Sequence, residues 1–216
     1  MNARLAALCA LVLLAARPVQ AHRLDEYLQA TTIAVEKGRV DAELRLTPGV
    51  NVFPGVFAGI DSDSDGVASP AEQRAYAERV IGDLSLTADG MRLPLRLVSL
   101  IFAPKELLQD GRGEIRLRFE ADVPAGTGRR RLTFENHHRH EIGAYLVNGL
   151  VPHDPDIQFL AQQRNQDQTI YQLEYTDASA PAGTSSFASW ARTWGWTDGA
   201  LVALIVGLAL VRRRLA

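Results

Sequence analysis

The chain has 216 residues, 47% of them apolar and 22% charged, with a formal net charge of −2. That balance describes a globular protein and excludes a disordered chain, a collagen repeat and a polytopic membrane protein. It also lacks the strongly basic character that a nucleic-acid partner demands, and its single cysteine excludes an internal disulfide or a cysteine-built zinc site.

Residues 1–21 read as a secretory signal peptide. Arg4 opens it, an apolar run extends from Leu5 to Ala16, and Val19 and Ala21 supply the small residues that signal peptidase accepts, so cleavage is placed before His22. A retained N-terminal anchor is the alternative, but the run is short for a bilayer. Cys9 lies inside it and leaves with the signal.

Residues 22–176 have the length of one domain, and most of them alternate with a period of two. Tyr27–Val35 and Val40–Leu46 flank Glu36-Lys37-Gly38-Arg39, which predicts a β-hairpin with glycine in its turn. The period then becomes helical. Phe53, Val56, Phe57 and Ile60 step i, i+3, i+4, i+7, and Tyr76, Val80 and Leu84 mark one face of a second helix, so a helix–loop–helix insert is placed at 53–84. Leu93–Val98 is a further candidate strand. In 115–120, Ile115, Leu117 and Phe119 face one way while Arg116, Arg118 and Glu120 face the other; Arg131–Glu135 and Thr169–Tyr175 repeat the theme. About six to eight short strands of this kind predict an α+β fold, a mainly antiparallel, sandwich-like β domain carrying a helical insert.

The C-terminal end has a different composition. Small residues from Asp177 to Ser186 read as a flexible linker, bounded at 177–189. Residues 190–216 hold Trp190, Trp194 and Trp196, the uncharged run Gly199–Val211, and Arg212-Arg213-Arg214. Tryptophans, an apolar middle and a basic stop predict a single membrane helix with a cytoplasmic C-terminus, tethering the domain to the periplasmic face of the inner membrane. The run Gly199–Val211 spans only about 20 Å as helix against a hydrocarbon core of about 30 Å, so a soluble helix is the alternative. The tail also resembles the C-terminal sorting signals handled by exosortase or rhombosortase systems of Gram-negative bacteria, which implies surface sorting, although it lacks their Pro-Glu-Pro or Gly-Gly signature.

Between the two predicted helices lies Asp61-Ser62-Asp63-Ser64-Asp65-Gly66-Val67-Ala68-Ser69-Pro70-Ala71-Glu72. Gly66 permits a sharp turn that lets Asp61, Asp63 and Asp65 converge on one centre. Ser69, Pro70 and Glu72 are an N-cap, a proline at N1 and an acid at N3, a helix start by two separate rules. Four carboxylates in twelve residues repel one another unless a cation neutralises them; the alternative is an acidic turn that binds nothing. This segment resembles the EF-hand superfamily. The resemblance implies one Ca²⁺ held by Asp61, Asp63, Asp65, the main-chain oxygen of Val67, Ser69 and Glu72, with a bidentate Glu72 suiting Ca²⁺ over Mg²⁺. Ala68 stands where paired hands place Ile, Leu or Val, and Asp154-Pro155-Asp156 lacks the glycine and final glutamate of a second loop. A lone hand outside the cytoplasm implies a staple with affinity of about 10⁻⁴ to 10⁻³ M rather than a paired sensor.

Ala21-His22, the hairpin Tyr27–Leu46 and the loop Asp61–Gly66 followed by Tyr76 are similar to extracytoplasmic domains found in or beside nickel/cobalt permeases and hydrogenase/urease accessory membrane proteins. That likeness implies a metal permease as partner. His137, His138 and His140 fit a second metal site for nickel, cobalt or copper: on a strand His138 and His140 share a face, and Glu141 can orient a ligand. The alternative is a solvated strand end with local hydrogen bonds. No Gly-x-Ser-x-Gly, His-Glu-x-x-His, phosphate loop or cysteine nucleophile occurs, so no enzyme activity is expected. The expected function is a calcium-binding, membrane-tethered extracytoplasmic domain with a structural or scaffolding role; the alternative is a periplasmic accessory in nickel, cobalt or copper handling.

Overall fold

The hairpin at the start of the domain forms as its alternation predicts. In the computed structural model, which describes residues 25–178, β1 (Tyr27–Glu36) pairs antiparallel with β2 (Arg39–Pro48) from Tyr27↔Pro48 to Glu36↔Arg39, and Gly38 takes a φ of 72° in the two-residue turn. The signal peptide, His22, residues 179–189 of the linker and the anchor at 190–216 lie outside the described residues.

Two short helices follow, α1 (Phe53–Ala58) and α2 (Pro70–Gly82), then β3 (Leu84–Ala88), β4 (Met91–Arg92), β5 (Arg96–Phe102) and α3 (Lys105–Gln109). The chain continues through β6 (Ile115–Asp122), β7 (Gly128–Asn136), β8 (Gly143–Gly149), β9 (Ile157–Arg164) and β10 (Ile170–Asp177). The strands form two five-stranded sheets, ordered β5-β6-β2-β1-β8 and β4-β3-β7-β10-β9. Every pairing is antiparallel except β1 with β8. The result is a β-rich α+β domain compatible with a sandwich. No helix among the described residues is long and apolar enough to cross a membrane.

Register explains the core. Leu44↔Leu117 and Ala42↔Phe119 bring the buried faces of β2 and β6 together, while Leu86↔Phe134 and Leu132↔Leu173 do the same in the other sheet. The two buried faces belong to one apolar cluster, and the Phe119 and Phe134 rings, one from each sheet, lie 6.5 Å apart. Phe53, Val56 and Phe57 of α1 and Tyr76, Ala77 and Val80 of α2 enter the same cluster, so the helices are packed into the domain rather than hung from it.

The structure corrects three boundaries. Leu84 is the first residue of β3, because α2 ends at Gly82 with Asp83 as its cap and Leu84, Leu86 and Ala88 then alternate inward. The candidate strand Leu93–Val98 is broken: Pro94 carries no N–H for a ladder, and β5 begins only at Arg96. Asp177, assigned to the linker, is the last residue of β10 and is buried opposite Ile157.

Candidate metal centre

Local bonding builds the loop between α1 and α2. The chain leaves α1 through a backbone bond from Asp61 N–H to Phe57 O (2.9 Å), which anchors the first aspartate and leaves it buried. Asp61 then accepts from Asp65 N–H (3.1 Å) and Gly66 N–H (2.9 Å), while Asp65 accepts from Val67 N–H (2.7 Å). Gly66 makes this wrap possible with a φ of 84°, in the left-handed region that a side chain disfavours. As a result Asp61, Asp63 and Asp65 each present a carboxylate oxygen within 4.8 Å of the others. Hard, negatively charged oxygens at that spacing suit a hard cation such as Ca²⁺.

Glu72 stands outside this trio. Its Oε2 accepts from Ser69 N–H (2.9 Å) and Ser69 Oγ (2.8 Å), completing a reciprocal capping box with the Ser69 cap of α2. Its Oε1 accepts from Ser62 N–H (2.6 Å) and Ser62 Oγ (2.9 Å). One carboxylate therefore joins the first and last turns of the loop. The hydrogen bonds from Ser69, first its N–H and then its hydroxyl, followed by those from Ser62, hold Glu72 down at a pKa of about 2. Val67 points its side chain outward, 61% exposed, which suits a residue whose predicted part is only its carbonyl.

Two features of this region carry no sequence signal. Ser62, at a loop position to which the sequence assigns no ligand, grips Glu72. Lys105, from α3, donates Nζ to Gly66 O at 2.6 Å and lies 4.2 Å from the centroid of the Phe57 ring. The partners are 39 positions apart, so no local pattern reveals them.

The histidines are not arranged as a strand. β7 ends at Asn136, and His138, Arg139 and His140 form a turn in which Arg139 takes a φ of 49°. His137 is exposed beside Glu135 (3.0 Å) and His140 is exposed beside Glu141 (3.8 Å). His138 is turned inward, with Nδ1 2.8 Å from Asp83 Oδ2 and Nε2 3.1 Å from Tyr76 Oη. The turn thus separates His138 from His140, which a shared strand face would have joined, and leaves His137 exposed beside Glu135. Tyr27 Oη extends the chain of bonds, 2.8 Å from Tyr76 Oη. Gln29 Nε2 and Tyr145 Oη both donate to the His138 carbonyl. Burial lowers the pKa of His138 against the opposing pull of Asp83, raises Tyr76 to about 12 and raises Tyr27 well above its usual value. A neutral His138 donating to Asp83 and accepting from Tyr76 satisfies every member.

Among the described residues, the aspartate trio is the group of three or more His, Cys, Asp or Glu side chains close enough to hold an ion. No family model matches this chain, and no curated protein or solved structure matches it either.

Proposed function

We propose that this chain is a calcium-binding extracytoplasmic protein in which an EF-hand-like helix–loop–helix is inserted into a β-sandwich. The observation that carries the reading is the convergence of Asp61, Asp63 and Asp65 within 4.8 Å on a loop already closed by Glu72. Asp61, Asp63, Asp65, the Val67 carbonyl, Ser69 and Glu72 would hold the ion, all through oxygen. Its chemistry there is charge neutralisation of a crowded acidic loop.

The role that follows is structural. α1 and α2 each bury one face in the domain core, so an ion that fixes the loop between them restrains both helices against the sheets. The output is binding or scaffolding by a rigid domain, tethered to the inner membrane through residues 190–216 and exported by residues 1–21. Handling of nickel, cobalt or copper at His137, His138 and His140, with a metal permease as partner, would require His138 to free one ring nitrogen from Asp83 or Tyr76 and to turn out of its buried place.

Titration of the purified full-length chain with CaCl₂ in a calorimeter tests the reading, with thermal melts in calcium and in chelator beside it. Saturable binding is expected, and Glu72→Gln should weaken it by on the order of tenfold or more, since ligand charge sets EF-hand affinity. Glutamine can keep the capping box, so the variant separates coordination from helix capping. No heat and no change in melting with millimolar calcium would overturn the proposal.

A further inference from the structure

A cation grips the calcium loop from outside. Lys105 opens α3 and donates its ammonium to the carbonyl of Gly66, at the loop's turn, while stacking on Phe57 of α1. Its side chain borders a cavity of about 390 Å³ between Gly66–Ala68 and the segment from Phe102 to Leu108. Contacts with two separate elements hold this charge beside the loop instead of leaving it free in solvent. Gly66 is also the residue before Val67, whose carbonyl belongs to the expected ligand set, and the Gly66–Val67 peptide gives its N–H to Asp65.

The loop does not depend on that ammonium for its shape. Asp61 already takes the N–H groups of Asp65 and Gly66, and Glu72 ties Ser62 to Ser69. What Lys105 adds is charge. In the ion-free chain it offsets part of the repulsion among Asp61, Asp63 and Asp65; against an arriving dication it repels. Both effects act in one direction, toward weaker calcium binding.

We propose that Lys105 sets the affinity of the loop: it is a resident cation that stabilises the ion-free state and keeps calcium binding weak. The inference rests on the calcium reading above and adds to it the residue that tunes the site. Weak binding is what a structural staple needs where calcium is abundant, outside the cytoplasm.

Calcium titrations of full-length wild type, Lys105→Met and Lys105→Arg test it. Methionine keeps an unbranched stem over Phe57 without the charge, and arginine keeps the charge. Lys105→Met is expected to bind about three- to tenfold more tightly, the scale of one unit charge acting on a dication across a partly solvated gap, and Lys105→Arg to stay within about twofold of wild type. Raising KCl should shrink the gain, because salt screens the repulsion that was removed. Without calcium, Lys105→Met should melt below wild type, a readout that involves no bound ion. Unchanged or weaker binding by Lys105→Met, beside a wild type that binds, overturns the inference alone; a wild type that does not bind overturns the calcium reading and this inference with it. Should Lys105→Met fail to fold, Lys105→Gln makes the same comparison.

Discussion

The loop at 61–72 and the network around His138 are both polar constructions, assembled in opposite ways. The loop draws its internal hydrogen bonds from within twelve consecutive residues, and most of its carboxylates face water. The network links residues 49, 62 and 55 positions apart in Tyr27–Tyr76, Tyr76–His138 and Asp83–His138, and most of it is buried. A solvated local site can lose a group at small cost to the fold. A buried long-range network cannot, because each orphaned partner keeps its desolvation penalty. Tyr76 and Asp83 sit on and just after α2, the helix that the loop starts, so the two constructions meet on one element.

The sharpest way to break that comparison is Tyr27→Ala. Tyr27 is fully buried, and the substitution leaves both a ring-sized void and a Tyr76 hydroxyl short of one partner. A loss of about 3 to 5 kcal/mol is expected in urea denaturation of the calcium-free chain. On the proposed calcium reading, the stability that the ion adds should survive in the variant, because the side-chain partners of Tyr27, Tyr76 and His138, lie outside the loop. A folded Tyr27→Ala that had lost its calcium response would show that the site depends on the distant network.

What could be read from sequence follows the same division. The hairpin, the alternation of β6 and the Ser69–Glu72 cap are legible because their determinants are neighbours along the chain. β8 is not: it buries only Tyr145 and Val147 and gains its place by running parallel to β1, more than a hundred positions away. β9 hides among Gln158, Gln162, Gln163 and Arg164, as an edge strand with one sheet partner has few residues to bury. Leu84 continues the i+4 series of Tyr76 and Val80 and so mimics a helix, and only the cap at Asp83 shows where the helix stops. His138 looked like a strand residue because nothing in an alternation reports a left-handed Arg139.

A smaller effect should sharpen the comparison through pH. Tyr76 and Asp83 bond the His138 ring, and burial, joined by the Arg139 charge, lowers its pKa against the raising pull of Asp83 and Glu141. Below the ordinary imidazole value near 6.5, the unfolded chain therefore takes up a proton at this residue before the folded chain does. The stability contributed by His138 is full above that pH and is lost as pH falls toward the lowered folded value. His138→Leu should cost about 1 to 3 kcal/mol at pH 8, by removing the acceptor of a buried hydroxyl. It should also remove this acid slope, so the gap to wild type narrows as denaturation is repeated down to pH 5. Two curves that stay parallel would mean that His138 titrates alike in both states.

The smallest expected effect on the fold belongs to the loop itself. Ser69→Ala deletes the side-chain oxygen that caps α2 and should cost about 1 kcal/mol in the calcium-free chain. It also removes one of the bonds that hold Glu72 near a pKa of 2, leaving those from Ser69 N–H and Ser62 in place. Because the folded pKa of Glu72 lies below its ordinary value of 4.5, its stabilisation is complete above that value and fades as pH falls through about 2. In the variant the fade should be smaller and should end at a higher pH, and an NMR titration of the Glu72 carboxyl carbon should give a midpoint between those two values. An unchanged midpoint would mean that the serine hydroxyl holds no part of the carboxylate's charge. On the proposed calcium reading, the same substitution also removes an oxygen expected to hold the ion and should weaken binding. One small deletion thus barely moves the fold and clearly moves the site, the reverse of what Tyr27→Ala does.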